Sequence, residues 1–327
     1  MPNQPTDKTK IFFGKIIRTL ITLIALFWIF KTVNFENILL TIKNTNLRYV
    51  LLASILFQIS VFIRTYRWKI LLQSTLPSVS YSTLLMLNYS GSFFDVFLPT
   101  GFGGDIIRTF ELNKADNKTS IVDNAGIVLL DRFAGFTALF TICIAALPFA
   151  ISFIPKQLAI WIATIAISGL VSATILITNV GVKSLVKLLN RFSFMQGLST
   201  YILKIASITK KRLLNAWFVS LFFHLIIIGV HYSLSLALHS NISIIVFFVF
   251  TPVVALTLLL PSIQGLGLRE NTYEYLLSQV GAPEAMGVAL GLLIFSVKII
   301  TGLIGGMVYL YYTITKKKFD TKDHNDS

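Results

Sequence analysis

Eight ionisable residues sit inside or against long apolar runs: Arg64, Arg67, Asp105, Arg108, Asp131, Arg132, Arg269 and Glu270. A charge at the middle of a membrane helix costs about 2.5–3.5 kcal/mol on insertion scales, so such groups pair with one another or mark a polar pathway. A guanidinium is planar and permanently charged, and its forked donors suit bidentate capture of a phosphodiester. Arg64 and Arg67 are three apart, as are Asp105 and Arg108, so each pair shares a helix face. Asp131 and Arg132 are adjacent, point apart and should take separate partners. These residues read as a substrate-binding set for a phosphate-bearing headgroup. The competing reading is internal ion pairing, with the arginines meeting Asp95, Asp105, Glu111 and Asp131. Glu270 and Glu274, four apart on one face, are expected to turn toward water, with cation or proton holding as the alternative.

Several of these charges follow two similar breaks. The first is Leu98-Pro99-Thr100-Gly101-Phe102-Gly103-Gly104-Asp105 and the second Leu260-Pro261-Ser262-Ile263-Gln264-Gly265-Leu266-Gly267. Pro99 and Pro261, with Gly101, Gly103, Gly104, Gly265 and Gly267, interrupt helices where a bilayer offers no water to the freed backbone groups. Breaks of this kind persist where protein or a wet cavity surrounds them, as in transporter binding sites. A helix restarting after Gly104 would aim its N–H groups at that cavity, with Asp105 as its cap and Arg108 one turn deeper.

Other chemistry is not signalled. The sequence has no H-E-x-x-H, no phosphate-binding G-x-x-x-x-G-K-[ST] and no G-x-S-x-G elbow, so neither an enzyme nor a cofactor is expected. His224 and His231 share a helix face without an acid or cysteine on their span, and read as core histidines rather than metal ligands. Ser90-Gly91-Ser92 reads as a close-packing site rather than a nucleophile. Cys143 is the single cysteine.

The elements that must position these residues are membrane helices. Of 327 residues, 55% are hydrophobic and 13% charged, and the mean hydropathy is +0.77; soluble domains carry about 25% charged residues. The net charge of +14 lies in loops and lacks groove-reading motifs, so nucleic acid is not an expected partner. Apolar runs over 11–30, 48–66, 124–152, 157–178, 214–238 and 286–312 are long enough to span a bilayer, and the first, after a basic tail over 1–10, reads as uncleaved. Two more runs, 82–98 and 242–260, end in the breaks. Loop 179–213 carries seven cations and no acid, and belongs in the cytoplasm. Parity places it there if the two broken segments each enter and return on one side. The fold expected is an all-α polytopic membrane protein with about six full spans and two re-entrant helices. Its halves, 11–152 and 157–312, start on opposite sides, as in an inverted repeat. Loop 179–213 also reads as a basic amphipathic helix, and 313–327 as a cytoplasmic tail.

In order along the chain, Arg64-Thr65-Tyr66-Arg67-Trp68, Leu98-Pro99 through Gly104-Asp105 with Arg108, Asp131-Arg132 with Gly135, and Pro261 with Gly265-x-Gly267 and Glu270 resemble the lysylphosphatidylglycerol synthase transmembrane-region, or flippase-like, family. The resemblance implies a bacterial inner-membrane protein that moves a phospholipid or polyprenyl-linked lipid between leaflets. The chain is expected to be a member without the family's aminoacyl-transferase domain. Two alternatives remain: a scaffold recruiting a separate cytosolic or membrane transferase through 179–213, and an intramembrane transferase using Asp105 or Asp131 as base.

Overall fold

The structure, a computed structural model, describes residues 45–73, 76, 78–97, 103–115, 121–191, 209–259, 265 and 267–322. The expected first span over 11–30, the breaks at Pro99, Gly101 and Pro261, and residues 192–208 of the basic loop lie outside these. The described chain is all-α. In order it comprises α1 (Leu47–Leu72), α2 (Tyr81–Phe97), α3 (Gly103–Ala115), α4 (Ile121–Ala150), α5 (Lys156–Ile177), α6 (Asn179–Leu189), α7 (Lys210–Ala237), α8 (Ile244–Thr257), α9 (Leu268–Ser278) and α10 (Glu284–Lys322). Five of these, α1, α4, α5, α7 and α10, contain stretches long and apolar enough to cross a membrane. Their outer faces stay apolar: Ile55, Ile59 and Phe62 on α1, Trp161 and Ile165 on α5, and Phe218 and Phe222 on α7 are all exposed. Water would penalise such a surface, whereas hydrocarbon does not.

Local signals set the helix ends. Asn46 caps α1 by accepting from the Arg48 N–H at 3.2 Å, and Thr178 caps α6 by accepting from the Gly181 N–H at 3.1 Å, as short polar side chains do at orphaned donors. Before α9, Gly265 and Gly267 have φ of 78° and 80°. That left-handed region strains any residue with a Cβ, so this turn uses glycine for its backbone freedom.

The helices meet at two ends. At one, a cluster of Trp68, Leu71, Leu84, Leu112, Ile127 and Ala216 gathers the end of α1, the start of α2, the end of α3 and the starts of α4 and α7. At the other, the turns around Phe153, Leu238–Ser243 and Val280–Pro283 surround one depression. The Asn46 N–H donates to the Ala237 carbonyl at 2.9 Å and so brings the start of α1 there too. The free ends of α2 and α3 therefore share one end of the molecule, and those of α8 and α9 share the other.

The packing crosses between halves. α1 packs along α7, α4 packs on α8, and α10 packs on α2. Glycines on α10 permit the closest approaches. A Cβ on Gly305 would collide with the Tyr89 carbonyl of α2, and one on Gly287 with the backbone of Glu274 in α9. α10 thus carries one smooth patch for each broken pair, and Lys298 lies between the patches. Within the first pair, a Cβ on Gly104 would strike the Gly91 carbonyl; Gly91 is a close-packing site, as its sequence context indicated.

Candidate functional site

Between the two ends lies a cavity of about 240 Å³. Its wall takes Ser60 and Arg64 from α1, Ser92 and Asp95 from α2, His224 and His231 from α7, Thr251 from α8, Arg269 from α9, and Lys298 and Thr301 from α10. Apolar side chains such as Phe57, Val61, Leu139 and Ile294 fill the rest. The wall thus draws on both halves of the chain. Arg64 precedes the first break and Arg269 follows the second, and both face the same space.

The arginines picked out by spacing divide into two kinds. Arg67 is locked behind the wall. Its Nε donates to Asp131 Oδ1 at 2.6 Å and its Nη2 to Asp131 Oδ2 at 2.9 Å. Its Nη1 reaches Ser220 Oγ at 3.0 Å, and the guanidinium lies 5.4 Å from the Phe223 ring centroid. Both partners of this fork are almost wholly buried, so every part of Arg67 is engaged in joining α1, α4 and α7. Gly135 supplies the room: a Cβ there would sit 3.1 Å from Arg67 Nη1.

Arg108 is likewise engaged. It donates from Nη2 to Asp105 and from Nη1 to Asn88 Oδ1, the latter at 2.7 Å. Asn88 in turn donates to Thr65 Oγ1 at 2.9 Å, and the guanidinium stacks 4.8 Å from the Trp68 ring centroid. The other oxygen of Asp105 accepts from Arg132. One polar chain therefore runs from α1 through α2 and α3 to α4. Asp131 and Arg132 do take separate partners, as their adjacency requires.

Asp105 does not cap α3, which corrects the expectation from its position. The Gly104 N–H donates instead to Asp95 Oδ1 at 2.6 Å, so a carboxylate from the facing helix fills the cap. Asp95 lies close because Gly91 and Gly104 let α2 and α3 touch; the spacing within the break carried no sign of this. Glu270 differs from expectation as well. It is 6% exposed, not turned to water, and packs against Gly291 on α10.

Arg64 is the exception among the first-half arginines. Its one direct hydrogen bond to a described side chain runs from Nη2 to Ser92 Oγ at a long 3.3 Å, and its Nε has no acceptor. The fork is therefore open to the cavity. Lys298 was not singled out from the sequence, although a lone cation inside an apolar helix is itself a pathway signal. The histidines are core residues, as expected, but they also border the cavity. His224 Nε2 lies 2.9 Å from the Gly135 carbonyl. His231 Nδ1 is 3.2 Å from Thr251 Oγ1 and 2.7 Å from the Tyr273 hydroxyl, a link that ties α7 to α8 and α9. Among the described residues no group of His, Cys, Asp and Glu could hold a metal ion.

A cavity between the ends of an apolar helix bundle, bordered by Arg64, Arg269 and Lys298 and by the carboxylate of Asp95, can hold a polar or charged group and shield it from hydrocarbon. No curated protein and no solved structure matches the chain. The family model described as the lysylphosphatidylglycerol synthase TM region matches residues 15–306. The chain belongs to that family and is a multi-pass membrane protein with a lipid-related function.

Proposed function

We propose that this member of the lysylphosphatidylglycerol synthase TM region family moves a phosphate-bearing lipid headgroup between the leaflets of a bacterial inner membrane. The carrying observation is the convergence of Arg64 and Arg269 on one cavity. Arg64 contributes an open fork for phosphate oxygens, with Ser92, Thr251 and the histidines as neutral hydrogen-bonding neighbours. Arg67, Arg108, Asp105, Asp131 and Arg132 hold the frame that sets the position of Arg64. No covalent step is part of this reading.

The element pairing supports an inverted repeat. If α1, the α2–α3 pair and α4 correspond to α7, the α8–α9 pair and α10, the contacts map onto themselves: α1 with α7 pairs with itself, and α4 with α8 exchanges for α10 with α2. Such an arrangement favours alternating access, because one half can rock on the other around a fixed central site. The positive-inside rule puts α6 and the start of α7 at the cytoplasmic face.

The scaffold reading keeps one supporting observation: Lys183, Lys187 and Leu188 on α6 are exposed, a surface a cytosolic transferase could engage. Reconstitution separates the readings. Purified protein in vesicles carrying an acyl-labelled phospholipid or polyprenyl phosphate should speed leaflet exchange without added enzyme, and Arg64→Gln should abolish the gain. Exchange at the protein-free rate for every lipid tried would leave the scaffold.

A further inference from the structure

We infer that a second cleft, on the far side of α4 from the central cavity, seats one acyl chain of an anionic phospholipid of the inner leaflet, with the phosphate held at Lys210. This lipid is a resident of the fold and not cargo, so the inference does not rest on the transport reading.

The cleft measures about 460 Å³. Leu130, Thr137 and Thr141 of α4 form its floor, while Leu139 of the same helix turns to the central cavity. Thr174 of α5 stands on one side, and Lys210, Leu214 and Trp217 of α7 on the other. The space exists because α5 packs on α4 and α6 and makes no extended contact with α7. Thr174 and Leu214 are exposed, so the rim opens to the bilayer.

The lining suits hydrocarbon. The hydroxyls of Thr137, Thr141 and Thr174 donate within their own helices, to the carbonyls of Ala134, Thr137 and Leu170 at 3.0, 2.8 and 2.8 Å. A chain lying there strips water from no open threonine donor. From Leu130 to Thr141 the floor runs about 16 Å at 1.5 Å per residue, close to half of a hydrocarbon core about 30 Å thick. The cleft therefore matches the depth of one leaflet.

Charge selects the headgroup. Lys210 stands at the basic end of the bundle, next to Lys211 and Arg212. The first turn of α7 holds no acid, and among the described residues no ion pair engages Lys210. Basic pockets between membrane helices on the cytoplasmic side hold anionic headgroups. A zwitterionic lipid offers the same chain but no net charge to these cations.

The test places the purified full-length protein in phosphatidylcholine vesicles that contain either phosphatidylglycerol or phosphatidylcholine with brominated chains. Bromine close to an indole quenches its emission, and the part of the quenching lost in Trp217→Phe reports this cleft. Brominated phosphatidylglycerol should half-quench Trp217 at about fivefold lower mole fraction, the contribution of one cation near an anionic lipid. Lys210→Gln should remove most of that preference. Thr174→Phe, which narrows the rim and keeps the charges, should weaken quenching by both lipids. Equal quenching of Trp217 by the two lipids overturns the inference, since the cleft then takes any surrounding lipid. A preference unchanged in Lys210→Gln and in the Lys210→Gln/Lys211→Gln double variant does so as well. Absence of Trp217 quenching by either lipid shows a cleft closed to lipid and has the same force. Arg64→Gln, aimed at the transport site, should leave this quenching unaltered; a matching loss there overturns the separation of the two sites.

Discussion

At the residue scale, the charges divide by whether a carboxylate completes them. Arg67 and Asp131 form a buried fork, and removing one partner of such a pair leaves an uncompensated charge at a cost of about 3–5 kcal/mol. Arg67→Ala and Asp131→Ala should each lower unfolding stability in detergent by that order. Arg67→Lys should recover only part, since an ammonium cannot span both oxygens. Asp105→Asn should be more damaging than a cap replacement, because two guanidiniums, Arg108 and Arg132, share that carboxylate. A loss of about 1.5–3 kcal/mol is expected for weakened charged hydrogen bonds. Asp95→Asn should leave stability near wild type, since an amide oxygen caps about as well. Reversed rankings for Asp105→Asn and Asp95→Asn would show that the cap is misassigned. Spacing revealed which of these residues share a helix face and that Asp131 and Arg132 part. It could not reveal that Asp95 reaches across to Gly104, because that contact joins two helices.

At the element scale, glycines decide how near the broken pairs sit to α10. Gly305→Ala would press a methyl group into the Tyr89 carbonyl of α2, and overpacking of this sort costs about 1–3 kcal/mol. Gly267→Ala meets nothing within 4 Å, yet φ of 80° penalises a Cβ by about 1–2 kcal/mol. Thermal unfolding should show both losses, and adding a second small-to-large change on α2 should worsen only the first. Unchanged unfolding of Gly305→Ala would mean that α10 and α2 do not approach as closely as described. The helices themselves were legible in apolar runs, and the runs at 82–98 and 242–260 became α2 and α8. Charge parity suggests a re-entrant course for both, and the described residues place the start of α2 beside the end of α3 and the start of α8 beside the end of α9. The smooth patches on α10 were not read from sequence, since glycine in a membrane helix signals closeness without naming the neighbour.

At the scale of the whole molecule, the grouping of the turns at 151–155, 238–243 and 279–283 makes a topological test direct. In a Cys143→Ala background, a cysteine at Asn241 should react with an impermeant maleimide in intact spheroplasts. One at Lys211, at the opposite end, should react only after permeabilisation. The opposite pattern would invert the orientation and place the basic loop outside, against the positive-inside rule.

The sequence by itself determined that this is a helical membrane protein with two interrupted segments and ionisable residues among its apolar runs, because hydropathy, helix-breaking residues and charge are local properties that a bilayer filters strongly. Which cations face the cavity was decided only by tertiary structure. Arg64 and Arg67 lie one turn apart on the same helix, yet Asp131 from α4 claims the second and leaves the first to the cavity. Arg269 and Lys298 join Arg64 there only because the second half folds back onto the first. A charge becomes a ligand or a strut according to what the rest of the chain brings within a few ångströms of it, and one-dimensional spacing does not carry that distance.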